Sequence, residues 1–389
     1  MQHLLSKIQL DNYSDYQNFA SEYIKPYASQ WEIDEAISPE ILDQCKKQGF
    51  TGCIIPDTYG GANLDMVSFG LLNEAFGRVS SSLTGLITVQ SMFSSSLERW
   101  GTEFQKEKYL GGIANGDFIA SFALTEPTGG SDISGIKTTV NEKNGKLILN
   151  GTKKWITFSG LADVFLVFAK LNGTYPIAVL VEKATPGVHV APIKGMMGFK
   201  ASHLSEITFK NCEIPMENMV GKPGFGLSFV ANTGLHIGRI STAWSAAGMV
   251  RGCIEETSKH VSKRKIGDQV LGDFGTSRKI ITQMGVDLEA SQLLCFQASL
   301  LEDRKNPDAI QKTLIAKYVS SKAAVDATSN AVQLFGAAGC HNSSEVSHYY
   351  RNAKIMELIE GSSQVYEDIL GKEFQDQHAK TVIQKPSYA

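Results

Sequence analysis

The sequence predicts an α+β multidomain protein in which a helical segment, a β segment and a second helical segment follow one another. Apolar residues recur at helical spacing through residues 1–118, and short β-branched and aromatic runs separated by turn pairs fill residues 119–225. The helical period then returns over residues 226–389. At 389 residues the chain exceeds one ordinary domain and is long enough to bury a cofactor-sized pocket.

In residues 1–118, Ser38 is the expected N-cap of a helix, Pro39 fits its first position, and Gly49 follows the end of the 41–48 run. Val67, Leu71 and Ala75, widened by Leu72 and Phe76, mark the apolar stripe of a further helix. In residues 119–225 the pairs Asn144-Gly145 and Asn150-Gly151 read as hairpin turns, because both central residues of a type I′ turn need positive φ. Strands are expected at 164–168, 177–181, 188–193 and 207–209, which together make an antiparallel β domain. Beyond Pro223 and Gly224, the heptad spacing of Tyr318, Val325 and Val332 predicts one long amphipathic element of a bundle whose helices also pack against partner subunits.

Composition narrows the function. Hydrophobic residues make up 42% and charged residues 20%, with a net charge of -3, as in ordinary globular proteins. The densest basic group, residues 259–265, is interleaved with His260, Val261 and Ser262 and reads as a solvated helix end, so no nucleic-acid partner is expected. No run approaches the roughly 20 apolar residues of a bilayer span, so no membrane is expected either. Residues 1–15, with Lys7 as their basic side chain, lack the regions of a secretory signal, and cytoplasmic residence is the default. Cysteines 45, 53, 212, 253, 295 and 340 form no C-x-x-C pair and read as reduced, mostly buried thiols, with no metal site.

Four places can carry chemistry. The run F-A-L-T-E-P-T-G-G-S-D, from Phe122 to Asp132, is a strand end followed by a loop whose amides and whose Thr125 and Ser131 hydroxyls can approach a ligand closely; its plainer reading is a β-turn. Trp155 can stack on a flat ring while Thr157 bonds to its edge, although a tryptophan there is more often core. Gln333-x-x-Gly336-x-x-Gly339 can present backbone and an amide to a nucleotide, or simply cap a helix. Glu360 follows the apolar-rich stretch 354–359 and precedes a Gly-Ser-Ser helix stop; dipole and desolvation there would disfavour its charge and make it a usable base, the alternative being an exposed glutamate. Gly221-x-x-Gly224-x-Gly226 lacks the strand-to-helix context of a dinucleotide fingerprint.

In order and spacing, these motifs resemble the acyl-CoA dehydrogenase family. Phe122-Ala-Leu-Thr125-Glu126-Pro127 with Gly130-Ser131-Asp132, then Asn150-Gly151-Thr-Lys-Lys-Trp155-Ile-Thr157, is similar to its flavin signature. Arg351-Asn-Ala-Lys354 and Ile359-Glu360-Gly361-Ser362-Ser363-Gln364 resemble its C-terminal base motif. The resemblance implies a helical domain, a β domain and a four-helix bundle, with FAD between the last two and a homodimer or homotetramer as the assembly. It implies that Thr125 and Thr157 bond the isoalloxazine, that Trp155 packs on it, that Ser131 meets the pyrophosphate and that Gln364 meets the nucleotide end. Phe122, Leu124, Gly130 and Ser362 belong to the same FAD-contacting set. Gln333 and Gly336 would reach a neighbouring subunit's FAD. So would Lys263 or Arg264, within a Lys-Arg-Lys-Ile-Gly run that stands for the family's Arg-x-x-Phe-Gly.

The resemblance further implies that Glu360 takes the α-proton of an acyl thioester while the β-hydride passes to flavin N5. The thioester oxygen would be held by the Glu360 amide and an FAD ribityl hydroxyl, with Arg239 and Gly361 beside the substrate. An electron-transfer flavoprotein would take the electrons. His236 replaces an acidic residue that commonly meets the pantetheine arm. The runs Trp155-Ile-Thr-Phe, Ala162-Asp-Val-Phe-Leu-Val-Phe and Lys354-Ile-Met-Glu are similar to a subgroup of polyketide and peptide assembly lines that acts on units held by an acyl carrier protein, here a small oxygenated one. The alternatives are short-chain acyl-CoA dehydrogenation in fatty or amino acid breakdown, a flavin monooxygenase of the same fold, against which Glu360 argues, and a non-catalytic FAD-binding protein.

Overall fold

Six helices, α1 (Lys7–Phe19), α2 (Lys25–Asp34), α3 (Pro39–Lys47), α4 (Met66–Gly77), α5 (Ser81–Trp100) and α6 (Glu103–Ala114), open the computed structural model, which describes residues 1–383. Ser6 and Thr102 close capping boxes with Gln9 and Gln105. Pro39 begins α3 and Gly49 follows it with φ 73°, while Ser38 stands at the N-cap without a side-chain bond. The stripe of Val67, Leu71 and Ala75 is inside, but α4 is buried on every face because other helices surround it.

The strands β1 (Ala120–Ala123), β2 (Thr139–Lys143), β3 (Lys146–Ile156), β4 (Val164–Leu171), β5 (Tyr175–Glu182), β6 (Val188–Pro192), β7 (Ser205–Pro215) and β8 (Met219–Val220) form one sheet. Its order is β6-β7-β3-β2-β4-β5-β8, with β1 paired to β4. Most pairings are antiparallel, while β1 and β2 run parallel to β4. Asn144 and Gly145 make the β2–β3 turn with φ 52° and 71°. Asn150-Gly151 is not a second turn. It lies inside β3, where pairing with β7 slips between Leu149 and Gly151, and a Cβ on Gly151 (φ 149°) would stand 2.5 Å from Thr138 Oγ1. An Asn-Gly pair signals positive φ, and a β-bulge uses that freedom as readily as a hairpin does.

The remaining helices are α7 (Asn232–Val261), α8 (Gly275–Asp303), α9 (Ala309–Phe335), α10 (Glu345–Leu358) and α11 (Ser363–Ile383), with a small hairpin of β9 (Lys265–Ile266) and β10 (Gln269–Val270) after α7. Residues 384–389 of the predicted 226–389 segment lie outside the described residues. Helices α7, α8 and α9 pack together, α10 lies against α9 and α7, and α11 lies against α9. Tyr318, Val325 and Val332 are only half-buried. The inner seam of α9 is Ala316, Ser320, Ala323, Ala327 and Ala331, small residues that allow close helix approach and give a weak apolar period. Buried Glu74 accepts bonds from Tyr13 Oη (3.0 Å), Arg251 Nε (2.9 Å) and Gln292 Nε2 (2.5 Å), which joins α4 to α1, α7 and α8.

All six cysteines are free, five buried and Cys340 exposed. Among the described residues no helix is long and apolar enough to cross a membrane, and no His, Cys, Asp and Glu cluster could hold a metal ion.

Candidate active site

A cavity of about 310 Å³ opens where the sheet meets α5, α7 and α10. Thr84, Thr88 and Val89 of α5 with Thr242 and Ser245 of α7 form one side; Trp155, Thr157, Phe199 and Leu204 form another; Met356, Ile359 and Glu360 close a third. A second hollow beside Glu32 and His348, about 20 Å³, has room for water but not for a cofactor.

Several residues around the larger cavity hold left-handed backbone: Trp155 (φ 62°), Phe158 (57°), Phe199 (53°) and Glu360 (56°). Bulky residues rarely accept such angles, and their clustering marks a place where surrounding packing over-determines the backbone. At Trp155 the cause is a second slip of β3 against β7, between Lys153 and Ile156. It turns the indole out of the sheet, where it is 46% exposed and has Lys154 Nζ 5.0 Å from its ring.

Thr125 is half-buried beside a tight turn in which Glu126 and Gly129 exchange backbone bonds at 3.2 Å. The turn is fixed by a buried ion pair: Lys153 Nζ donates to Glu126 Oε1 (2.8 Å) and to Leu124 O (2.9 Å), while Glu126 also accepts from the Lys137 and Thr138 amides. Burial alone would raise the Glu126 carboxyl, but Lys153, Thr138 and Lys137 hold it down at about 2. Burial pulls the Lys153 ammonium downward, and Glu126 opposes that pull. Lys154 N donates to Thr125 O at 2.9 Å, which ties the start of the loop after Thr125 to the strand that carries Trp155. Gly130 and Ser131 are exposed on the same loop. Phe122 and Leu124 point into the apolar core, Phe122 lying 4.7 Å from the Phe168 ring, so only their backbone faces the loop side.

Glu360 sits just past the end of α10 rather than on it. Its carbonyl accepts from Arg239 Nε (3.3 Å) and from Tyr366 Oη, while its Oε2 is buried without a partner. Burial raises this carboxyl to about 7, against the opposing pull of Arg239 and Lys317. Glu357 is engaged with Lys354 Nζ (2.5 Å) and Ser363 Oγ (3.0 Å) and does not line the cavity. Gly361 and Ser362 are half-buried beside Glu360, and Gln364 is exposed on the first turn of α11.

Lys263, Arg264, Gln333 and Gly336 are exposed and do not line the cavity. They cluster instead at the ends of α7 and α9, which His260 and Phe335 join by stacking at 4.0 Å. His236 pairs with Glu302 at 2.8 Å.

Sequence reasoning missed the Glu126–Lys153 pair, the hydroxyl-bearing wall of α5, the 196–204 loop, Tyr366 and Lys317. A lysine on the small-residue seam of α9 was a usable signal for the last of these.

Models of the N-terminal, middle and C-terminal domains of acyl-CoA dehydrogenase match residues 11–117, 121–212 and 224–374. An acyl-CoA dehydrogenase of Bacillus subtilis is 33% identical over 91% of this chain and 94% of its own. The chain belongs to the acyl-CoA dehydrogenase family. Its fold is that of the butyryl-CoA dehydrogenase of Megasphaera elsdenii, with a TM-score of 0.91, 28% identity and coverage of 95% of this chain and 99% of that one. A solved prolyl acyl carrier protein oxidase, AnaB, gives a TM-score of 0.88 at 26% identity, over 95% and 99% of the two chains.

As an acyl-CoA dehydrogenase family member, the protein is a flavin oxidoreductase acting on CH–CH bonds and uses FAD. The residues present fit that group: an open cavity, an indole turned out of its sheet and a carboxylate oxygen without a partner meet at one place.

Proposed function

We propose that this family member oxidises the Cα–Cβ bond of a short acyl thioester, with Glu360 as the base that removes the α-proton. The observation that carries the proposal is that, among the described residues, Glu360 is the one carboxylate lining the cavity, with an unpartnered oxygen and a proton affinity raised to about 7, near the range a base at neutral pH needs.

Bound FAD supplies the acceptor for the β-hydride. Thr125, Trp155 and Thr157 would hold its ring, Gly130 and Ser131 its phosphates, with Phe122, Leu124, Ser362 and Gln364 alongside. Gln333, Gly336, Lys263 and Arg264 would serve the site of a second copy, which makes the working assembly a homodimer or homotetramer. Arg239 holds the Glu360 carbonyl and so fixes the peptide that follows the base, while the Glu360 amide, on the preceding peptide, would meet the thioester oxygen. Electrons would leave to an electron-transfer flavoprotein.

Two thioester carriers are supported. Likeness to AnaB and the assembly-line runs favour a small acyl unit on an acyl carrier protein. Likeness to the Bacillus and Megasphaera enzymes favours a short acyl-CoA. Anaerobic stopped-flow bleaching with butyryl-CoA and with an acyl-loaded carrier protein separates them, and bleaching by neither discards the reaction.

A further inference from the structure

Lys317 is a fully buried lysine on the inner seam of α9, among residues whose neighbours are mostly alanine and serine. Burying an ammonium is costly unless it is paired or fully bonded, so its contacts indicate what it is kept for. Its Nζ donates to Glu357 O at 3.1 Å and to Gly361 O at 2.7 Å, and the Tyr366 ring centroid lies 5.0 Å away. Those two carbonyls bracket the segment that carries Glu360 in its left-handed conformation. The carbonyl of Glu360 itself is taken by Arg239 and Tyr366. Three helices of the bundle, α7, α9 and α11, thus hold the segment from Glu357 to Gly361.

The charged and titratable groups facing Glu360 are Arg239 from α7, Lys317 from α9 and Tyr366 from α11, and Glu357 from α10 faces Lys317. Arg239 spends a donor on a carbonyl, and no hydrogen bond reaches the buried Oε2 of the carboxylate. Burial pushes the Lys317 ammonium down to about 7 while Glu360 and Glu357 oppose that fall, so the ionised carboxylate and the protonated lysine support each other, with Arg239 as the second cation.

We propose that Lys317 is the positioning residue of the base: its ammonium clamps the backbone on both sides of Glu360 and supplies the positive charge against which that carboxylate ionises. The proposal rests on the reading of Glu360 as the base but is tested without substrate. In the FAD-loaded protein, pH-difference infrared spectroscopy follows the carbonyl stretch of protonated buried carboxyls, and Glu360→Gln identifies the Glu360 band by its loss. In Lys317→Met the midpoint of that band moves upward by about one pH unit or more, roughly a tenfold gain in proton affinity. Lys354→Met, which removes an exposed ammonium from α10, leaves it in place. A purely structural lysine would alter stability and not the midpoint, so an unmoved midpoint in folded, yellow Lys317→Met overturns the proposal. If Lys317→Met does not hold FAD, Lys317→Gln, which keeps a donor for one carbonyl but no charge, decides by the same criterion. Undiminished flavin reduction in Glu360→Gln would instead remove the base reading while leaving the titration result intact.

Discussion

The carboxylate of Glu360 lies against Gly238 of α7 so closely that a Cβ added there would stand 2.7 Å from its Oε2 and 2.9 Å from Met92 Sδ. Met92 is buried in the core, so the carboxylate, which borders the cavity, is the neighbour that has to give way. Gly238→Ala is therefore expected to keep FAD and displace the base, slowing flavin reduction roughly 100-fold, the scale of a 1 Å misplacement. Stopped-flow bleaching at a wild-type rate would show that the carboxylate is placed by something else.

Glu360→Gln retains shape and removes the base. The variant should stay yellow and bind thioester, with flavin reduction falling roughly 10²–10⁴-fold and kcat changing far more than KM. Glu357→Gln is the control and should be nearly silent, because that carboxylate is spent on Lys354 and Ser363. Equal losses in both variants would reassign the base.

The same substitution has an opposite effect on stability. A carboxyl raised to about 7 in the fold holds its proton where the unfolded chain, near 4.5, has lost it, so Glu360 weakens the fold progressively as pH rises from about 4.5 to 7. Thermal unfolding of Glu360→Gln should match wild type at pH 4 and exceed it at pH 8, by about 2–3 kcal/mol. A gain of equal size at both pH values would refute this linkage.

The Glu126–Lys153 pair is expected to control flavin affinity through the turn after Thr125. Lys153→Met leaves a buried carboxylate alone and should cost about 3 kcal/mol and release FAD, while the double variant Lys153→Met with Glu126→Gln recovers part of both. In the native protein Glu126 is ionised down to about 2, so the contribution is present above the unfolded carboxyl range and is lost as pH falls from roughly 5 toward 2. Flavin titration against pH checks the window. Unchanged flavin affinity in Lys153→Met would separate the turn from the cofactor.

The exposed group at the ends of α7 and α9 predicts that dilution removes flavin and subunit association together. Sedimentation with flavin absorbance reports both. A monomer with full FAD occupancy would detach Gln333, Gly336, Lys263 and Arg264 from the site.

The three-part order of helix, sheet and helix was legible because each segment has its own apolar period, and Trp155, Thr157 and Glu360 do meet at one cavity. What the sequence did not show follows from physics that leaves weak local traces. The bulge at Gly151 and the turn at Gly145 use the same residue pair for different backbone paths. The seam of α9 is built from alanine and serine, which barely register as apolar. The contact between Glu126 and Lys153, and that between Lys317 and the backbone around Glu360, join residues far apart in the chain and exist only after folding.

Asn352 of α10 accepts a bond from Phe199 N at 2.8 Å, which ties the cavity wall shared by Phe199, Trp155 and Thr157 to the helix that delivers the base. The two surfaces therefore share their errors. A substitution anywhere along the 196–204 loop that shifts Phe199 will pull on α10 as well, and a lesion chosen to alter what the pocket accepts will surface in kinetics as a weaker proton acceptor. Selection for a new acyl group in this scaffold has to move both walls as one piece.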